Sequence, residues 1–237
     1  MKKIGIIGGL GPEATADYYK RIVRFFHERN GNLSVPEIII YSVDMTELFA
    51  LVAARRWGDL TAWLADKAAA LKLAGADFAA ISANTPHIVF DEVQARAPLP
   101  LISIVEATLA AAQAAGLRRL GLLGTQFTMQ ANFFGARFAR EGIAVVVPDA
   151  EEQQYIQDKL IGEIERGVFS AETRQGLLSI IARMGRRDGI DAVILGCTEL
   201  PLILEEGAAA LPFLNTTAIH VAAICARCAA ETIESNR

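Results

Sequence analysis

Apolar residues occur along this chain in two alternating patterns. Short, β-branched runs predict strands buried on both faces, and apolar positions repeating every three or four residues predict amphipathic helices. Strands are expected from Lys3, over 36–44, from Ala76 to Ala83, over 98–106, from Arg119, over 143–148, from Asp191 to Gly196 and over 210–217. Helices are expected through Tyr18, Ile22 and Phe26, across 45–74 with a break at Gly58, up to Gly116, and over 151–166, 172–186 and 216–234. Strands alternating with helices imply parallel sheets joined by right-handed crossovers.

The pattern runs twice. Arg119-Leu-Gly-Leu-Leu-Gly echoes Lys3-Ile-Gly-Ile-Ile-Gly, and Ala210-Leu-Pro-Phe-Leu echoes Pro98-Leu-Pro-Leu-Ile. Placing Asp77 on Asp191 sets Ala83 against Cys197, Asn84 against Thr198 and Thr85 against Glu199. The expected fold is α/β, with two pseudo-twofold-related domains, each a parallel sheet flanked by helices. The first domain is expected over 1–100 plus 212–237 and the second over 101–211. Ligands of such sheets bind beyond the carboxyl ends of the strands. Gly8–Gly11, Ala83–Thr85, Gly124–Thr128 and Cys197–Glu199 occupy those ends, and their convergence on one cleft between the domains is expected.

Composition narrows the function classes. The 237 residues are 52% hydrophobic, a fraction that parallel strands buried on both faces explain. No run reaches the ~18 apolar residues that a membrane-spanning helix needs. The apolar stretch after Met1-Lys-Lys is cut short by Gly8, Gly9, Gly11 and Pro12, so it makes a poor signal peptide and a cytoplasmic protein is expected. A net charge of −4 without a basic cluster gives no reason to expect nucleic acid. Three cysteines do not suggest a secreted disulfide framework. Cys225 and Cys228 have redox or zinc spacing, but they lie in a late helical pattern with no second pair, which favours packing.

The candidate chemistry gathers at Cys197. An apolar run, Ala192 to Leu195, stops at Gly196 and the thiol follows at once, with Thr198 and Glu199 suited to open a helix. Outward-pointing amides at a helix start lower a thiol's pKa, so an activated Cys197 is expected. Gly9-Leu-Gly11 is not followed by the third glycine of a dinucleotide fingerprint, and a turn bringing backbone against a small ligand is the better reading. Arg55 and Arg56 either hold a carboxylate or solvate the surface, and His87 either donates to a ligand or caps a helix.

Three motifs together, Gly8-Gly-Leu-Gly-Pro12, Asn84-Thr-Pro-His87 and Gly196-Cys-Thr-Glu199, resemble the aspartate/glutamate racemase family of cofactor-independent amino-acid racemases. The resemblance extends over essentially the whole chain. It implies an amino-acid substrate, no cofactor or metal, and a homodimer. It implies that two groups, usually cysteines, remove the α-hydrogen from one face and return one to the other. Carried over by position, Cys197 is one of them, and Asn84, Thr85, Thr125 and Thr198 hold the substrate carboxylate, with Ala83 and Glu199 in the same turns. Where the family usually has a cysteine, or sometimes a threonine, this chain has Ala83, which cannot carry a proton. Where some members place a lysine for a side-chain carboxylate, this chain has Glu165 or Arg166. Two alternatives stay open: a single-cysteine decarboxylase of the same superfamily, like arylmalonate decarboxylase, and a non-catalytic amino-acid binder.

Overall fold

A computed structural model describes residues 1–230. The chain divides into two compact units, Met1–Ile104 with the segment from His220 onward, and Val105–Ile219. The first unit contains β1 (Ile4–Gly8), α1 (Pro12–Asn30), β2 (Ile38–Ser42), α2 (Met45–Ala53), α3 (Trp57–Leu73) and β3 (Phe78–Ile81). A 3-10 turn (Thr85–Val89), α4 (Phe90–Arg96) and β4 (Leu101–Ile102) complete its main sequence. From α5 (Ile104–Ala114) the second unit follows, with β5 (Arg119–Leu123), α6 (Gln126–Gln130), α7 (Phe133–Ala139) and β6 (Ala144–Val146). Next come α8 (Ala150–Gly162), a 3-10 turn (Ile164–Arg166), α9 (Ala171–Asp188), β7 (Ala192–Leu195), a 3-10 turn (Leu200–Leu202) and β8 (Phe213–Asn215). The last helix, α10 (Thr216–Ala229), starts in the second unit and ends in the first.

The internal repeat is visible in the sheets. Their strand orders, β2-β1-β3-β4 and β6-β5-β7-β8, are the same order twice, and every pairing is parallel. The aspartates that align the two halves do the same work in each. Asp77 Oδ2 accepts from the Lys3 N–H at 2.7 Å. Asp191 Oδ2 accepts from the Arg118 and Arg119 N–H groups, both at 2.8 Å, and these bonds hold its carboxyl below the usual range. Each carboxylate clamps the entry of its unit's central strand.

Alternating side chains bury both faces of the first sheet. Ile4, Ile6 and Phe78 pack on Tyr18, Ile22 and Phe26 of α1 and on Val221, Ile224, Cys225 and Cys228 of α10. Ile7, Ala79 and Ile81 pack on Leu60, Leu64 and Leu71 of α3 and on Val93 of α4. In the second sheet Val193 and Leu195 meet Ile156 and Leu160 of α8 and Leu177, Ile181 and Met184 of α9. Among the described residues no helix is long and apolar enough to cross a membrane.

Several boundaries move from their expected places. The second unit does not close at residue 211, because β8 pairs with β7 through Val193–Phe213, Ile194–Leu214 and Leu195–Asn215. Likewise β4 pairs with β3, which carries the first unit to Ile104. The stretch 45–74 breaks at Arg55, whose φ of 52° ends α2 in the left-handed region, while Gly58 lies inside α3. The strand expected over 98–106 shortens to Leu101–Ile102, and α5 starts at Ile104. Residues 231–234 of the expected last helix lie outside the described residues.

A buried polar chain runs through the first unit. Tyr18 Oη lies 2.8 Å from His220 Nδ1, and His220 Nε2 lies 2.9 Å from the Ile102 carbonyl oxygen. His87 Nδ1 lies 2.9 Å from the Ala83 carbonyl oxygen, and its Nε2 accepts from the Ile104 N–H at 3.2 Å. The carbonyl partners assign the ring protons to His220 Nε2 and His87 Nδ1, so each imidazole is neutral and fully used. Burial, with His220 as a second cause for His87, pushes the two rings down to about 3 for His87 and about 4 for His220. The unfolded chain takes up these protons near the ordinary value of 6.5, and the folded chain resists them. The stabilisation from keeping both rings neutral is therefore complete above pH 6.5 and drains away as pH falls toward 4. Thermal melts are expected to be flat above about pH 7 and to drop below about pH 6. In the folded protein the His87 and His220 ring resonances should not titrate above about pH 5, and a ring titrating near neutrality would contradict the assignment.

Candidate active site

The second unit brings its polar residues to the carboxyl ends of β5 and β7. Two glycines let those ends close up. The Gly196 N–H donates to the Leu123 carbonyl at 2.6 Å. A Cβ at Gly196 would meet the same oxygen at 2.9 Å, and one at Gly124 would meet Gly196 O at 3.1 Å. The chain then turns and presents Cys197, Thr198 and Glu199 before the 3-10 turn Leu200–Leu202.

Cys197 is 7% exposed and belongs to the hydrophobic cluster that includes Ile156 and Leu160 of α8 and Leu177 and Ile181 of α9. Its thiol donates to Glu199 Oε2 at 3.1 Å, and Thr198 Oγ1 donates to the same oxygen at 2.7 Å. Glu165, on the 3-10 turn after α8, adds a second negative charge within electrostatic reach of the sulfur. Burial, then the Glu199 charge, drive the thiol well above its ordinary range, and Glu165 pushes it further. The Glu199 backbone N–H pulls the other way and loses. Glu165 itself is pushed up to about 7, by loss of water around the carboxyl and then by Glu199. Neither acid has an ion-pair partner among the described residues.

This corrects the expected activation of the thiol. The helix start after Cys197 is a three-residue 3-10 turn, too short to supply much dipole. Two carboxylates outweigh it. The other helix start, at Thr125, is occupied by the protein's own groups. Thr125 Oγ1 accepts from the Thr128 N–H at 3.3 Å, and Gln157 Oε1 accepts from the Gln126 N–H at 2.7 Å.

In the first unit Ala83 stands where Cys197 stands in the second, two residues beyond the last strand pairing. Ala83 is 6% exposed and Asn84 is 4% exposed, while Thr85 is half-buried and starts the 3-10 turn. Ser82 points into the sheet, with Oγ 3.2 Å from both Ile7 O and Thr15 Oγ1. His87 is a pin and not a donor to a ligand: both ring nitrogens are taken by backbone, which fixes the Ala83 turn against the start of α5.

The glycine-rich turn also serves the protein's own packing. Gly9 has φ +82°, and a Cβ there would meet Val43 O at 2.4 Å; one at Gly8 would meet Thr15 Cγ2 at 2.5 Å. Arg56 pairs with Asp59 at 2.6 Å on the surface, one of the two roles open to the arginine pair. Cys225 and Cys228 are free and buried in the α1–α10 core, where Cys228 donates to Lys2 O at 3.1 Å. Among the described residues no three His, Cys, Asp or Glu side chains are grouped to hold a metal ion. The resemblance sets Glu165 or Arg166 where some members place a lysine for the substrate, and Glu165 is the one that lies within electrostatic reach of the thiol and Glu199.

The sequence profile of Asp/Glu/Hydantoin racemases matches residues 7–224. The chain belongs to this racemase family. Among its relatives is the "Broad specificity amino-acid racemase RacX" of Bacillus subtilis (strain 168), 24% identical over 91% of this chain and 93% of that one. The crystal structure of an aspartate racemase homologue from Pyrococcus horikoshii OT3 superposes with a TM-score of 0.87 at 36% identity, covering 97% of this chain and 100% of that one. A Yersinia pestis protein provisionally named an Asp/Glu racemase gives a TM-score of 0.89 at 34% identity, covering 96% and 99%. The racemase fold of these neighbours, α/β with two four-stranded parallel sheets flanked by helices, is the fold of this chain.

In this racemase-family chain the Glu199 carboxylate holds the Cys197 proton in place. Glu199→Gln removes the charge and keeps the backbone N–H, so the thiol pKa should fall. Alkylation of Cys197 by iodoacetamide, followed by mass spectrometry across a pH series, is expected to speed up at neutral pH by about tenfold for each unit of that fall. An unchanged rate profile would show that Glu199 does not control the sulfur.

Proposed function

We propose that the protein is an amino-acid racemase or epimerase working without pyridoxal phosphate, with Cys197 as the group that moves the substrate α-proton. What carries this reading is a thiol at the carboxyl end of β7, hydrogen-bonded to Glu199, in a chain of the racemase family. An amino-acid α-hydrogen is barely acidic, so the enediolate formed on its removal needs donors around the carboxylate. Asn84, Thr85, Thr125 and Thr198 are the candidates for that role. The thiolate takes the α-proton, the electron pair moves onto the carboxylate, and a proton returned to carbon regenerates the starting charge state.

The resting thiol is a poor base because burial, and then Glu199 and Glu165, stabilise its protonated form. A substrate ammonium set against these acids offsets one of the two charges and eases loss of the thiol proton. The base then forms when the site is filled. The same acids disfavour a substrate with a side-chain carboxylate. Neutral and basic amino acids are the expected substrates, in line with the breadth that the name of the Bacillus subtilis relative states.

Ala83 shapes the stereochemical outcome. A methyl group at the position equivalent to Cys197 returns no proton, so one thiol serves one face. Incubation of L- and D-amino acids in deuterium oxide should show α-hydrogen exchange faster than inversion. Both should be lost in Cys197→Ala, and Ala83→Cys should raise inversion toward the exchange rate. A panel in which no amino acid exchanges would overturn the reading. In the same panel lysine and alanine should exchange faster than aspartate and glutamate, and Glu165→Lys should narrow that gap; the opposite order would remove the role given to the two acids.

The single thiol also favours a second reading, a decarboxylase delivering one proton to one face. Carbon dioxide release from a malonate-type acid, with no exchange into amino acids, would select it. Ligand binding with neither reaction would select a binder.

A further inference from the structure

The strand register of the second unit aligns the ends of β5, β7 and β8. Leu123 lies opposite Leu195, and Leu195 opposite Asn215. Two residues past these positions come Thr125, Cys197 and Thr217. The Thr125 hydroxyl is engaged with Thr128, and the thiol with Glu199. Thr217 is different. It is 1% exposed, and its Oγ1 has no hydrogen-bond partner among the described residues. Its neighbour shows what a satisfied hydroxyl looks like here: Thr216 Oγ1 donates to the Leu195 carbonyl at 2.8 Å. Native proteins rarely bury a hydroxyl unmatched, so a ligand is the natural partner for Thr217.

The surroundings say which ligand group fits. Thr217 is the second residue of α10, where the Asn215 side chain accepts from the Ala218 N–H at 3.0 Å and the helix dipole favours an anion beside the remaining first-turn amides. The acids Glu199 and Glu165 beside the thiol favour a cation instead. An amino acid carries one group of each kind. Resting on the reading of Cys197 as a site of amino-acid chemistry, we propose that Thr217 Oγ1 donates a hydrogen bond to the substrate α-carboxylate. The carboxylate is then drawn toward the start of α10 and the ammonium toward the acids, which leaves the α-carbon to face the sulfur.

Thr217→Val keeps the shape and removes the hydroxyl, and Thr217→Ser keeps the hydroxyl. The probes are L-alanine, L-lysine and L-aspartate, which share the α-carboxylate and differ in side-chain charge. Ligand-free Thr217→Val should melt no lower than the parent protein, because the lost hydroxyl has no partner in the protein. For α-hydrogen exchange its KM should rise about tenfold for every probe that the parent exchanges, and Thr217→Ser should restore it. A melting point several degrees lower, an unchanged KM, or a rise confined to one of several exchanged probes would overturn the assignment. If the parent protein exchanges none of the probes, the proposed activity fails on its own. Protection of Cys197 from iodoacetamide by the same amino acids then decides. Protection present in the parent and lost in Thr217→Val upholds Thr217, and protection absent from the parent or retained in the variant rejects it.

Discussion

The inner strands of both sheets are buried, and that constraint decides where chemistry can happen. A strand packed between helices has no room for a charged or hydrogen-bonding side chain along its length. Polar residues are pushed to the strand ends, where the backbone turns and its own groups need partners. The amino ends are closed by Asp77 and Asp191, each holding the N–H groups that open a central strand. At the carboxyl ends stand Ala83, Asn84 and Thr85 in the first unit and Thr125, Cys197, Thr198 and Glu199 in the second.

Duplication made two such ends, and the two have diverged. The first is quiet: Ala83 carries no chemistry, and Ser82 and His87 are consumed by backbone. The second is charged, with a thiol held protonated by burial and by carboxylates that have no ion-pair partner among the described residues. An uncompensated negative pair at a partly buried site is unfavourable in isolation. Under the proposed function a substrate ammonium supplies the positive charge that this pair lacks.

The fold was legible because its signals are local and repeated. Runs such as Ala192–Leu195, ended by Gly196, announce a buried strand and the turn beyond it, and the Asp77–Asp191 match exposes the duplication. Boundaries were less legible. Arg55 takes a left-handed conformation that its residue type does not advertise, and the break forms there and not at Gly58. Gly8 and Gly9 are in addition demanded by Thr15 and Val43, neighbours that no spacing rule reveals. The sign of the thiol's pKa shift was hidden for the same reason. A helix start can be read from Thr198 and Glu199, but the depth of burial and the approach of Glu165 are tertiary facts.

The first unit is assembled from the two ends of the chain. Tyr18, Ile22 and Phe26 are covered by Val221, Ile224 and Cys225, and Cys228 reaches back to the Lys2 carbonyl. During vectorial synthesis β1 and α1 leave the ribosome before α10, so one face of their sheet stays uncovered until that helix is made. The unit made later is continuous in sequence and can close earlier. Nascent chains stalled before α10 would therefore carry a finished second half and a sticky first one, and would be the species that chaperones hold.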